Sequence, residues 1–211
     1  MPTTDSDADV RTLCERALAL GARAARPLPA DRVVVDPRVS LKCRVPLCPS
    51  YGRNLMCPPF APAADEFAAT LARYATALLV QQAIPLTATD IDERFAGKGV
   101  AELHDTAAYQ RVMADSQNAF AGVMSSLERE ALALGYPFAA ALAGGDCCLC
   151  ETCVVADEGP RTNAPCRHPF VARPSMEAVG IDVVATAAAA GLAVTLPAAD
   201  DPVWTGLLLL D

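Results

Sequence analysis

The sequence has no run of about 18 apolar residues, the length a membrane-crossing helix needs. Its longest apolar candidate, Gly180 to Leu196, is broken by Asp182 and Gly191 and reads as a helix followed by a strand. Basic residues fall short of acidic ones, 17 against 25, for a formal net charge of −8. That balance argues against a general nucleic-acid binder, which needs a basic surface to displace counterions. The start, Met1-Pro2-Thr3-Thr4-Asp5-Ser6-Asp7, lacks the basic stretch and apolar core of a secretory leader, so a cytoplasmic location is expected. Also missing are a phosphate-binding glycine loop, a dinucleotide fingerprint and a nucleophilic triad. There is no internal repeat and no low-complexity linker.

What the chain has is cysteine. Nine cysteines in 211 residues is many, the number is odd, and most lie two to eight residues from a neighbour. In a cytoplasmic chain such spacing reads as metal-binding or redox-active rather than disulfide-stapled. The apolar fraction, 53%, supplies a core of its own, so no metal is needed merely for collapse.

Apolar periodicity places a helix over residues 6–22, with Gly21 as its stop. Arg32 to Asp36 reads as a strand, residues 37–61 as an ordered loop, and Ala63 to Ala75 as a helix. Ala77 to Ile84 reads as a buried strand. A polar loop over 86–99 precedes a long helix from Val100 to Leu134, ended by Gly135. Pro137 to Leu142 is a strand leading into Gly144-Gly145. A helix starts at Pro174 with Ser175 as N-cap and stops at Gly191. Leu192 to Leu196 and Trp204 to Leu210 are strands. Strands alternating with helices predict one α/β domain over residues 1–211, a layered sheet with helices packed on it and cysteine loops at strand ends.

Cys147, Cys150 and Cys153 form C-x2-C-x2-C, and Cys166 follows. This spacing lets a short loop place three thiolates around one [4Fe–4S] cubane, completed by a distant cysteine. Zinc, the alternative, more often takes two well-separated C-x2-C pairs. Cys148 is either an alternative ligand, giving C-x-C-x2-C, or a spectator thiol packed as a small hydrophobe, and the second reading is favoured.

Cys43, Cys48 and Cys57 form an earlier group with C-x4-C-x8-C spacing, and two of them precede proline, which stiffens the loop. This group is one ligand short. Cys14 sits on the apolar face of the first helix, His104 lies at the start of the long helix, and Cys148 serves only if the two loops meet. Three readings stay open: a second, three-cysteine cluster with an iron open to water, substrate or partner; convergence of both groups on one site; or a structural loop of reduced thiols. Lys42, Arg44 and Arg53 flank the first group, and Arg161, Arg167 and Arg173 the second. Such cations stabilise an anionic centre or orient an anionic substrate or partner.

The motifs Cys43-x4-Cys48-Pro49, Tyr51-Gly52, Cys57-Pro58-Pro59, Gly145-x-Cys147-x2-Cys150-x2-Cys153, Pro165-Cys166-Arg167-His168-Pro169 and Arg173-Pro174-Ser175-Met176-Glu177 together resemble an uncharacterised prokaryotic family. It is the predicted metal-binding family called domain of unknown function 2284. The resemblance spans about residues 35–195. It implies a cysteine-ligated metal, in all expectation iron–sulfur, and supplies no reaction. The Cys147-Cys148 doublet departs from the family-like spacing.

Two further side chains are weak catalytic candidates. His168 is close enough to Cys166 to tune a cluster or donate a proton, and is otherwise a surface imidazole. Glu177 opens the helix after the second loop, where the helix dipole alone favours an acid. Asp146 reads as a turn residue. The expectation is an iron–sulfur protein with one or two clusters: a cubane on Cys147, Cys150, Cys153 and Cys166 and, as one of the open readings of the first group, a second on Cys43, Cys48 and Cys57. Its activity is redox chemistry or catalysis on a small anionic substrate. An electron-transfer protein serving a redox partner and a zinc-stabilised binding module are the alternatives. A homodimer is the guess for assembly.

Overall fold

The computed structural model describes residues 6–86, 106–158, 164–194 and 202–211. Its elements in chain order are α1 (Ser6–Ala19), β1 (Ala24–Pro29), α2 (Pro37–Arg44), α3 (Ala64–Leu71), β2 (Thr76–Ala83), α4 (Ala107–Leu134), β3 (Ala140–Leu142), α5 (Val154–Glu158), α6 (Val183–Ala189) and β4 (Val203–Leu210). The four strands form one antiparallel sheet in the order β1-β2-β4-β3. The α/β layered expectation is met.

The central strands explain themselves. β2 carries Ala77-Leu78-Leu79-Val80 and β4 carries Leu207-Leu208-Leu209-Leu210, all buried. Successive side chains point to opposite faces, so a continuous apolar run means that both faces are covered. Leu78, Val80, Leu208 and Leu210 pack under α1 and α4 with Leu13, Phe120, Met124 and Leu127. Ala77, Leu79, Leu207 and Leu209 pack on the other face with Phe67, Leu71, Met176 and Ile181. Each such leucine contributes about 1.5–3 kcal/mol by leaving water.

Several boundaries moved. The strand expected at Arg32 to Asp36 is reduced to a single bridge, Val35 to Ile181, and the real strand precedes it at Ala24–Pro29. Pro27 and Pro29 disguised β1, but it is an edge strand, which can spare a missing N–H. The first part of the expected loop 37–61 is helix α2. Asp36 caps it, accepting from the Arg38 N–H at 2.8 Å, and Pro37 fills the first turn. Thus Cys43 sits in the last turn of a helix, not at a strand end. The long helix begins at Ala107 after a Thr106 cap and ends at left-handed Gly135. Val100 to Asp105, His104 included, and most of the polar loop lie outside the described residues.

The helix expected from Pro174 to Gly191 is two pieces. A 3-10 turn at Glu177–Val179 is followed by Gly180, with φ of 86°, and then by α6 capped by Asp182. A Cβ on Gly180 would stand 2.5 Å from the Cβ of Ala64, so this break is where α3 packs close. Ser175 still acts as a cap: its hydroxyl accepts from the Ala178 N–H at 3.1 Å. Residues 192–194 form no strand, and the rest of that expected strand lies outside the described residues.

Candidate metal centre

The second cysteine loop leaves the sheet at the end of β3. Gly144 and Gly145 make that exit possible. A Cβ on Gly144 would stand 3.0 Å from the Thr205 carbonyl oxygen, and one on Gly145 would stand 1.9 Å from Gln117 Nε2. Gly145 also has φ of 70°, the left-handed region that residues with a Cβ avoid. The chain therefore hugs α4 and β4 before turning out to Asp146 and the cysteines.

Cys147, Cys150, Cys153 and Cys166 line one pocket, with about 320 Å³ of atom-free space including its mouth. Asn54, Leu55 and Met56 of the first loop form part of its wall, and Arg167 and His168 another. Arg167 clamps the loop by donating to the Thr152 carbonyl at 2.7 Å and to Asp157 Oδ2 at 2.8 Å. The His168 backbone N–H donates to Cys166 Sγ at 3.3 Å, while its side chain is exposed. Burial pushes the Cys147 thiol up. The Leu149 N–H opposes this, and Cys166, Cys150 and Cys153 push it further.

Cys43, Cys48 and Cys57 are gathered by tight turns. The Cys48 N–H donates to the Cys43 carbonyl and the Cys57 N–H to the Asn54 carbonyl, both at 3.0 Å. Burial, then Asp146, Cys48, Cys43 and Cys147, push the Cys57 thiol up to about 12. Burial, Cys48 and Glu177 raise Cys43, and Arg44 opposes them. Packed, mutually repelling thiols of this kind stay protonated alone, and a bound cation reverses that balance.

The two loops meet. Ser50 Oγ donates to Asp146 Oδ2 at 2.5 Å, and Asn54 Nδ2 donates to the Cys147 carbonyl at 2.8 Å. Asn54 is buried, and its Oδ1 accepts from the Met56 N–H at 3.0 Å. Asn54→Ala is expected to destabilise the protein by about 1–3 kcal/mol, since the Met56 N–H and the Cys147 carbonyl lose their partner. A shift in urea midpoint at unchanged slope measures it. An unchanged midpoint would show that the loops hold without this stitch.

The other sequence candidates fall into place around this junction. Cys148 does not line the four-cysteine pocket. Its thiol contacts Gln117 Oε1 at 3.1 Å and is pushed up to about 12 by burial, Asp146 and Cys147. Cys14 packs against the core, with Arg26 as its cationic neighbour, and burial raises its thiol. Arg44 and Arg53 are exposed, and Arg161 lies outside the described residues. Glu177 is exposed, although protein atoms crowd around its carboxyl. That crowding pushes its pKa up, against its own N–H and the Ser175 hydroxyl. Among the described residues, no three His, Cys, Asp or Glu side chains are close enough to hold a single metal ion.

Sequence reasoning missed Asn54 and Gln117; Asp146, read as a turn residue, does lie in a bend and also bonds Ser50 across the junction. Asn54 and Gln117 carry no motif. Their role arises only where α4 and the first loop touch the second loop.

A layered α/β fold with two adjoining cysteine loops defines a cysteine-rich protein with a candidate metal centre. The family model described as predicted metal-binding protein, domain of unknown function 2284, matches residues 26–210, and the chain belongs to that family. No curated protein and no solved structure matches the chain. No described helix is long and apolar enough to cross a membrane.

Proposed function

We propose that this chain is an iron–sulfur protein that holds a [4Fe–4S] cluster on Cys147, Cys150, Cys153 and Cys166. One observation carries the reading. Cys147, Cys150 and Cys153, spaced C-x2-C-x2-C, and the distant Cys166 all line a single pocket. That spacing suits the corners of a cubane, with three ligands from one short loop and a fourth from afar. Structural zinc more often takes two well-separated C-x2-C pairs. Cys43, Cys48 and Cys57 hold a second cluster, and its incomplete cysteine set makes it the place for chemistry on a small anionic molecule.

A second reading, electron transfer to a partner protein, draws support from the surface. Leu41, Val45 and Leu47 flank the first group and Phe170 follows Cys166, and all four are exposed, Phe170 by 80%. Exposed apolar side chains beside redox centres suit a transient docking face.

Anaerobic reconstitution followed by iron, sulfide and zinc analysis tests the proposal. A brown protein with about eight irons per chain is expected for two cubanes. Cys150→Ser is expected to remove about four of them. A colourless protein with stoichiometric zinc overturns both iron–sulfur readings. Perturbation of the remaining cluster's spectrum by a small anion favours catalysis over simple electron transfer.

A further inference from the structure

The first group has three thiols, and neither spare cysteine joins them. Cys14 is packed on the core beside Arg26, and Cys148 faces Gln117. Two carboxylates come near the group instead. Glu177 lies by Cys43, but it is exposed and sits on the 3-10 turn beyond Cys166, and among the described residues no hydrogen bond ties it to the first loop. Asp146 is placed differently. It crosses from the second loop to the first and takes the Ser50 hydroxyl on Oδ2, and Ser50 lies in the turn between Cys48 and Cys57. Its other oxygen has only long contacts, 3.4 Å to Gln117 Nε2 and 3.9 Å to Cys148 Sγ. Its backbone is fixed by Gly145, where a Cβ would collide with Gln117, and by Gly144, which passes close to Thr205 and Trp204.

We infer that Asp146, tied to the first loop through Ser50, supplies the fourth ligand of the cluster on Cys43, Cys48 and Cys57. The inference rests on the two-cluster reading. An ionised carboxylate is a competent oxygen ligand for iron, and it carries the same single negative charge as a thiolate. Ser50 is the outer hydrogen-bond donor that orients it, as ligating carboxylates usually require. The sequence gives the second loop its own four cysteines and lends its first acid to the neighbouring group. One iron of that group then differs from the other three in having a hard ligand, which marks it as the exchangeable position.

Mössbauer spectroscopy of the full chain reconstituted with iron-57, with iron and sulfide counted on the same samples, is the test. The expected wild-type spectrum has one iron with the higher isomer shift of oxygen ligation among about eight. Asp146→Cys is expected to convert that iron to the thiolate pattern at unchanged iron content. Ser50→Ala is expected to perturb that iron alone. An oxygen-type iron that persists in Asp146→Cys, or that is missing from the wild type, overturns the inference while two clusters stand. A chain with about four irons that are insensitive to Cys57→Ser sinks the two-cluster reading and this inference together. A wild-type spectrum with no oxygen-type iron overturns the inference even where a variant fails to fold.

Discussion

Gly145→Ala is expected to destabilise the protein by about 2–5 kcal/mol and to deplete the second cysteine loop of metal. Two penalties combine. At φ of 70° a residue with a Cβ is strained, at about 1–2 kcal/mol. The new methyl would also stand 1.9 Å from Gln117 Nε2 and 3.0 Å from the Trp204 ring. Gln117 cannot swing away freely, because its Oε1 contacts the Cys148 thiol and its Nε2 faces Asp146. The loop must lift from α4, and Cys147 moves with it. Gly191→Ala separates the two penalties. Gly191 has the same φ of 70° but nothing within 4 Å of its Cβ position, so it should cost only about 1 kcal/mol and leave metal content unchanged. Urea unfolding and metal analysis of both variants give the comparison. Equal losses in the two would show that backbone strain alone is at work.

The same glycine shows what the sequence makes legible. Gly144-Gly145 before Cys147 announces a tight exit from a strand, and the C-x2-C-x2-C spacing announces three thiols on one loop. The Leu-rich strands β2 and β4 are equally plain, since a short apolar run between turn signals has one natural place in a sheet. β1 was not legible, because proline argues against a strand unless the strand is known to be an edge. Helix α2 was legible and passed over: Asp36-Pro37 is a cap followed by a first-turn proline, hidden by the cysteines and prolines that follow. The meeting of the two loops had no local signal. Ser50 and Asp146 are 96 positions apart, and Asn54 and Cys147 are 93 apart. Such pairs are chosen by the sheet order and by the packing of α4, which only the fold fixes.

One such long-range pair should carry a large share of the stability. Glu128 on α4 accepts from Arg173 Nε at 2.8 Å and from Nη2 at 2.5 Å, and its Oε2 also takes the Ala141 N–H of β3 at 2.6 Å. The side chains are only 16% and 13% exposed. Arg173 Nη1 donates to the carbonyls of Pro169 and Ala172, so this one guanidinium ties helix, sheet edge and the segment carrying Cys166 together. Arg173→Ala strands a largely buried carboxylate and is expected to cost about 3 kcal/mol, the lower end for a broken buried pair because some solvent reaches it. Glu128→Ala should cost at least as much, since the Ala141 N–H is orphaned as well. The double variant should lose less than the two single losses combined, because the second change removes a group already left without its partner. On the proposed reading, the same variants should release metal to a chelator faster than wild type, as the segment carrying Cys166 is no longer tied to α4 through Arg173. Strict additivity of the urea midpoints at constant slope, or chelator release at the wild-type rate, would show that the pair does not anchor the cysteine segment.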